Sequence, residues 1–318
     1  MVMEQNYSNL KIRPISVVTD EAVNYITARK NHDINSLATR WKKLNMCCMG
    51  GIEPNCVYTI AGISGSGKSS FANSLAADLI DYNPTENIIV LVFSLEMVGF
   101  RQIGRMFSNK LRKTTSYLYS SQQDLDDTTF EQVVNVSKQI RNYPIYFIDD
   151  PGTPEQIDAT IQYFYNKYVK GQNKHFVIMY DHTLLTKRIG SAIETLSALQ
   201  EVFIRTKKLP LTSIIQLSQM NRRIEEPERI NNPASHYPMR SDLSSSDSIF
   251  QASDYVLVIH RPEILGIQEY GPNRLPTCNK VYIHILKNRD AGKPCILEFE
   301  NDLAFNNLIE SEVVSDNN

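Results

Sequence analysis

An excess of charge of either sign is missing from this chain. Its 318 residues hold 33 Lys and Arg against 35 Asp and Glu, a formal net charge of −2. That balance excludes a basic packing tail and an acidic solvating protein, but leaves binding through a local basic patch open. Long hydrophobic runs are missing too. The longest, residues 88–93, is far short of the ~20 residues that cross a bilayer. The opening residues, MVMEQNYSNLKIRPIS, have no basic region followed by an apolar stretch, so they do not read as a secretory signal. Cysteine is sparse, with Cys47, Cys48, Cys56, Cys278 and Cys295. The adjacent Cys47 and Cys48 lack zinc spacing and no paired histidine follows nearby, so reduced thiols are expected. These absences predict a cytoplasmic protein with no membrane partner. With 42% hydrophobic residues the chain is long enough for a sizeable core in one or two domains.

No repeat or low-complexity linker divides the sequence. Asp20 reads as the cap of a short helix carrying Ala22, Tyr25 and Ile26 and reaching about Lys30. From Cys56 onward short apolar runs at 57–61, 88–93, 145–148, 176–180, 213–217 and 255–259 alternate with stretches of helical period. Phe71, Leu75 and Leu79 lie at i, i+4, i+8, and Ile193, Leu196, Leu199 and Phe203 repeat the theme. Thr153-Pro154-Glu155-Gln156 is a capping box with proline at the first helical position. Continuous apolar strands alternating with helices predict an α/β fold, with a mostly parallel sheet flanked by helices. Residues 281–287 and 295–299 around NRDAGKP predict a C-terminal β-hairpin, and a polar tail follows about Leu308.

The most specific signal is Gly62-Ile63-Ser64-Gly65-Ser66-Gly67-Lys68-Ser69, which fits G-x-x-x-x-G-K-[ST] between a strand and a helix. Glycines let such a loop turn its N–H groups toward phosphate, and the helix start adds partial positive charge. Gly62, Ser64, Gly65, Ser66, Gly67, Lys68, Ser69 and Ser70 are therefore candidate nucleotide-binding residues. Lys68 suits the β/γ-phosphates of ATP and the Ser69 hydroxyl suits Mg²⁺. Hydrolysis also needs carboxylates at neighbouring strand ends. Asp181 directly follows an apolar strand and reads as the second metal anchor, while Glu96 follows another and reads as the general base. Asp149 and Asp150 follow a third strand, but Pro151, Gly152 and the capped helix next to them favour turn and capping duties.

With these motifs in place, LVFSLEM (91–97), IIQLSQMNR (214–222), SDSIFQASDYVLVIHR (246–261) and LKNRDAGKP (286–294) resemble, in order and spacing, the successive motifs of DnaB-type replicative helicases. AVNYITARKNHDINSL (22–37) resembles their linker helix, and the pair Asp181 and His182 resembles the ring helicases of phage primase-helicases. The likeness spans about residues 20–305. It implies a RecA-like P-loop NTPase core behind an N-terminal linker helix, a homo-oligomeric hexameric ring on single-stranded DNA, and ATP sites between subunits. It also implies roles: Glu96 as catalytic glutamate, Asp181 as Walker-B aspartate and Gln219 as γ-phosphate sensor. Lys287 and Arg289 would be the lysine and arginine fingers that reach a neighbour's site. The corresponding division is an arm and linker helix over 1–45, a motor core over 46–308 and a flexible tail over 309–318.

The sequence also departs from that pattern. Only about twenty residues precede the linker helix, too few for the family's N-terminal domain, so a separate primase or loader chain is expected to supply its contacts. The family's DNA-loop sequence D-L-R-E-S-G corresponds to Asp242, Leu243, Ser244, Ser245, Ser246 and Asp247, with serine in place of the arginine. Residues 220–247 carry four arginines against five acids, and 186–196 carry Lys187 and Arg188 against Glu194. Lys187, Arg188, Arg222, Arg223 and Ser244 are the candidate nucleic-acid contacts. His182 reads equally as an active-site hydrogen bonder or a packed strand-end histidine. Trp41 reads as packed under basic stems rather than as a stacking platform. The leading expectation is an ATP-driven helicase of phage or mobile-element type, working in the host cytoplasm in that case. A ring ATPase without unwinding and a monomeric P-loop kinase are the competing readings.

Overall fold

The structure is a computed structural model. It describes residues 11–243, 246–290, 292 and 294–311. It forms two units, Met1–Ser36 and Leu37–Asn318. In the first, helix α1 (Ile15–Lys30) starts just after Pro14 rather than at Asp20, which lies inside it. The residue before a proline is biased away from helix, so the chain turns helical only beyond Pro14. Arg29 and Lys30 then complement the partial negative charge of the last turn.

The second unit contains helices α2 (Lys42–Cys47), α3 (Lys68–Asp81), α4 (Gly99–Leu111), α5 (Thr115–Leu118), α6 (Asp127–Ile140), α7 (Pro154–Tyr168), α8 (Ala192–Thr206), α9 (Pro227–Ile230) and α10 (Ser246–Ala252). Its strands are β1 (Val57–Gly62), β2 (Ile88–Ser94), β3 (Ile145–Ile148), β4 (His175–Asp181), β5 (Thr212–Gln219), β6 (Tyr255–His260), β7 (Glu269–Tyr270), β8 (Leu275–Pro276), β9 (Lys280–Asn288), β10 (Cys295–Asp302) and β11 (Asn307–Glu310). Nine of them form one sheet in the order β11-β10-β9-β6-β1-β5-β4-β2-β3. The six from β6 to β3 are parallel, and β9, β10 and β11 continue the sheet antiparallel.

The sheet is covered on both faces, as its unbroken apolar strands predict. Along β2, Val90 and Val92 join one core with Phe71, Leu75 and Leu79 of α3. Ile89, Leu91 and Phe93 join the other, with Ile157, Ile161 and Phe164 of α7 and Leu199 and Phe203 of α8. The capping box of α7 forms as expected, with Thr153 accepting from the Gln156 N–H and Gln156 accepting from the Thr153 N–H.

Two expected boundaries move. The core begins at Leu37, not residue 46, because residues 37–44 pack into it. Trp41 is 1% exposed, stacks on Phe71 at 4.3 Å, and donates its indole N–H to the Leu308 carbonyl at 2.8 Å. The ordered chain also continues past 308. Strand β11 pairs with β10 through Glu310, whose carboxylate accepts the N–H groups of Lys43 and Leu44 at 2.9 and 3.0 Å and so caps α2.

Candidate nucleotide site and the distant hairpin

The loop from β1 to α3 takes the curled form its glycines allow. Gly65 and Gly67 have φ of +77° and +100°, a region other residues enter only with strain. At Gly62 the need is proximity: a Cβ there would lie 2.6 Å from the Ile259 carbonyl of β6 and 2.5 Å from the Ser66 hydroxyl. Ser66 is fully buried and its hydroxyl has no protein partner among the described residues. Helix α3 opens at Lys68 without a side-chain cap, so its first N–H groups stay available to an anion.

Lys68 folds back over the loop and donates to the carbonyls of Gly62 and Ile63, each at 2.8 Å. Burial pushes its ammonium down to about 8, against the pull of Glu96 and Asp181. Asp181 closes β4 directly opposite Ser94 at the end of β2, and it is 7% exposed. Burial and the nearby Glu96 push its carboxyl up to about 6, while Arg105 and Lys68 pull the other way. Its Oδ1 has no hydrogen-bond partner among the described residues. Asp181 and Ser69 line one small cavity beside the loop.

The neighbouring open cleft, about 360 Å³, brings together Ser64, Gly65, Gly67, Lys68, Ser69 and Ser70 with Glu96 from beyond β2 and Gln219 from the end of β5. Gly62 and Ser66 shape it from beneath. Ser70 also has a packing role, since its hydroxyl donates to the Asn306 amide oxygen at 3.1 Å. His182 does both things expected of it. It is buried, its Nδ1 accepts the Leu184 N–H at 3.3 Å, and its ring lies beside Gln219 in the cleft. Burial also lowers its pKa. Asp149 accepts the Gly99 N–H at 3.2 Å at the start of α4, which is capping rather than site work.

Two basic cleft residues were not anticipated. Arg105 of α4 faces Glu96 and Asp181, with a buried Nη1 that has no protein partner among the described residues. Arg261 follows β6, the strand beside β1, and its buried Nε is likewise unpartnered. A cation directly after a strand next to the loop strand is a readable signal for Arg261. Arg105 gave no such signal, because only the packing of α4 decides which of its cations turns inward.

The expected finger residues lie elsewhere. Strand β9 runs antiparallel to β6, so Asn288 sits opposite Tyr255, the first residue of β6, at the sheet edge away from the loop. Lys287 donates to the Phe250 carbonyl at 2.7 Å, and half-exposed Arg289 lies 3.2 Å from Asp254. Neither can touch the cleft of its own chain. Lys187 and Arg188 are exposed in the segment after β4, and Arg222 and Arg223 are exposed in a short turn after β5. Nearby Arg229 is turned inward to the buried Asp242. Ser244 lies outside the described residues.

Residues 36–306 match the family model of the DnaB-like helicase C terminal domain. The chain belongs to that family. Similar relatives include the replicative DNA helicase DnaB of Buchnera aphidicola subsp. Baizongia pistaciae, 28% identical over 240 residues, covering 73% of this chain and 48% of the relative. That of Mycoplasma genitalium is 29% identical over 237 residues, 72% of this chain and 47% of the relative. This DnaB-like chain thus spans about half the length of the curated relatives it matches. Two solved structures share the fold. One, described as an ATPase domain, superposes with a TM-score of 0.77 at 20% identity, covering 92% of this chain and 98% of that one. A DnaB-like replicative helicase, described with its interactions with primase, gives 0.75 at 20% identity, covering 96% and 68%. The DnaB-like fold is therefore the RecA-like one expected from the motifs. No helix among the described residues is long and apolar enough to cross a membrane.

Proposed function

We propose that this chain is an ATP-dependent motor of the DnaB replicative helicase type, moving along single-stranded DNA as a hexameric ring in the cytoplasm. One observation carries this reading. Lys68, Ser69, Glu96 and Gln219 line one cleft, with Asp181 in the small cavity that Ser69 shares with it, while Lys287 and Arg289 are held at the far sheet edge. A site divided between copies needs this separation. A self-contained kinase would give the two cations no part in phosphoryl transfer.

The cleft suits Mg²⁺-ATP. Among the described residues, buried polar atoms on Ser66, Asp181, Arg105 and Arg261 lack protein partners, and Arg105 and Arg261 line the cleft that a triphosphate would fill. Ser69 and Asp181 would hold Mg²⁺, directly or through water, and the ion would neutralise charge on the bridging phosphates. Among the described residues there is no cluster of three or more His, Cys, Asp and Glu that could hold a metal. Mg²⁺ in such sites takes few protein ligands, so this is no obstacle. Lys68 exchanges its two loop carbonyls for the β/γ-phosphates. The exposed Glu96 carboxylate accepts a proton from the attacking water. Arg105 places a guanidinium beside the phosphoryl oxygens from within the chain, and Arg289 and Lys287 do so from the neighbouring copy. Gln219, beside His182, conveys γ-phosphate loss to the turn bearing Arg222 and Arg223.

A Glu96→Gln variant tests the chemistry. It should bind ATP while turnover falls by a factor of order 10² or more. Unchanged turnover removes Glu96 from the role of base.

The near-neutral candidate DNA segments and the inward-turned Arg229 favour a second reading, a ring ATPase that loads or scaffolds without unwinding. Single-strand binding at two salt concentrations separates the two. A motor on DNA loses affinity as salt rises, whereas no binding at low salt supports the second reading. A separate primase or loader is the protein partner this reading expects.

A further inference from the structure

Two of the five cysteines touch. Cys47 is the last residue of α2 and Cys295 the first of β10, and their sulfurs lie 3.1 Å apart although the residues are 248 positions apart in the chain. Both are free thiols, neither fully buried nor fully exposed. The surroundings join this spot to the hairpin. Cys295 lies opposite Ile285 of β9, and the Asn288 amide donates to the Cys47 carbonyl at 2.7 Å. Lys287 and Arg289 flank Asn288.

We propose that Cys47 and Cys295 are a peroxide-reactive thiol pair that closes to a disulfide, fixing the turn end of the β9–β10 hairpin to α2. Cys47 is the attacking group. The hydrogen bond from the Cys295 thiol draws Cys47 down to about 7, against burial and the Glu310 carboxylate, and raises Cys295 itself. Cys48 and Cys56 are more deeply buried, and desolvation pushes each up to about 12, so both stay protonated and inert.

The chemistry is that of a dithiol and a hydroperoxide. The Cys47 thiolate attacks one peroxide oxygen and breaks the O–O bond. Sulfur keeps the hydroxyl as a sulfenic acid, and the other oxygen leaves, protonated, as an alcohol or as water. Cys295 gives up its proton and attacks the sulfenic sulfur, and hydroxide departs as water. Two thiols are oxidised to one disulfide, and one hydroperoxide is reduced. Formation of this bond does not depend on the hairpin's function. Its effect on turnover rests on the reading of Arg289 as a group that acts on the neighbouring copy, since a tied hairpin cannot adjust across that interface.

The test treats the full chain with hydrogen peroxide, blocks remaining thiols, and maps peptides without reduction. The expected product is one peptide pair linking Cys47 to Cys295, cleaved by dithiothreitol, lost in Cys47→Ser and Cys295→Ser, and retained in Cys278→Ser. Cys47 oxidised to sulfinic acid with Cys295 still free overturns the proposal, as does a bond from Cys47 to Cys48. ATP turnover is read on the same samples. Reversible loss in wild type but not in Cys295→Ser supports the coupling. A fully formed disulfide with unchanged turnover upholds the thiol pair and counts against the trans-acting hairpin.

Discussion

Lys68 is a half-buried charge held only by neutral carbonyls, and Asp181 is a buried one, and this makes the site tunable at the scale of single residues. Replacing two neutral carbonyls by phosphate oxygens strengthens each Lys68 hydrogen bond, because the acceptor becomes charged. Lys68→Ala is expected to weaken nucleotide affinity roughly 10- to 100-fold, the equivalent of one charge-assisted bond, in a titration with a fluorescent ATP analogue. Asp181 has a sign that can be checked. Its folded pKa of about 6 lies above the ordinary value of 3.8, so its contribution to stability is fully present below 3.8 and is lost as pH rises through 6. At neutral pH the ionised, desolvated carboxylate is a cost. Asp181→Asn should therefore stabilise the protein, free of metal and nucleotide, above pH 6 by about 1–3 kcal/mol, and the gain should vanish near pH 4. Denaturant melts at the two pH values decide this; a pH-independent difference contradicts it. The same substitution should abolish Mg²⁺-dependent turnover, so stability and activity move in opposite directions. At this scale the loop residues, Glu96 and Asp181 were legible because each adjoins a strand in the sequence. Arg105 was not, because its place depends on the rotation of α4.

At the scale of elements, the alternation of apolar runs and helical periods reproduces the six parallel strands, and the hairpin appears where its turn composition predicts it. What the sequence did not disclose are long-range attachments. Residues 37–44 look polar and mixed, yet Trp41 reaches Phe71 and Leu308, and Glu310 returns to cap α2. No local pattern encodes a partner some 267 residues away. Trp41→Ala should thus behave as a core truncation, costing about 3–5 kcal/mol in urea unfolding. A loss below about 0.5 kcal/mol, the usual size of surface changes, would return this segment to the arm. The hairpin is the second such case. Its residues could be named from the sequence, but their distance from the chain's own cleft follows only from the antiparallel pairing of β9 with β6.

For the whole molecule, the near-zero net charge is compatible with a ring that keeps its cations inside. The segments expected to line such a channel are close to neutral. Binding to single-stranded DNA should therefore be modest and salt-dependent, and Arg222→Ala with Arg223→Ala should lower the slope of log affinity against log salt by roughly 1.4, about 0.7 per lost phosphate contact. An unchanged slope would move the DNA path elsewhere. The central claim is that the catalytic site is divided between two copies of the chain. It is tested most directly by mixing two variants expected to be inactive, Lys68→Ala, which lacks the proposed phosphate lysine, and Arg289→Ala, which lacks the proposed finger. Where copies meet in the right order, one site regains an intact Lys68 from one chain and an intact Arg289 from the next. The expected result is ATP turnover in the mixture well above that of either variant alone. Turnover in the mixture no higher than the average of the two, or full activity of Arg289→Ala by itself, would contradict the divided site.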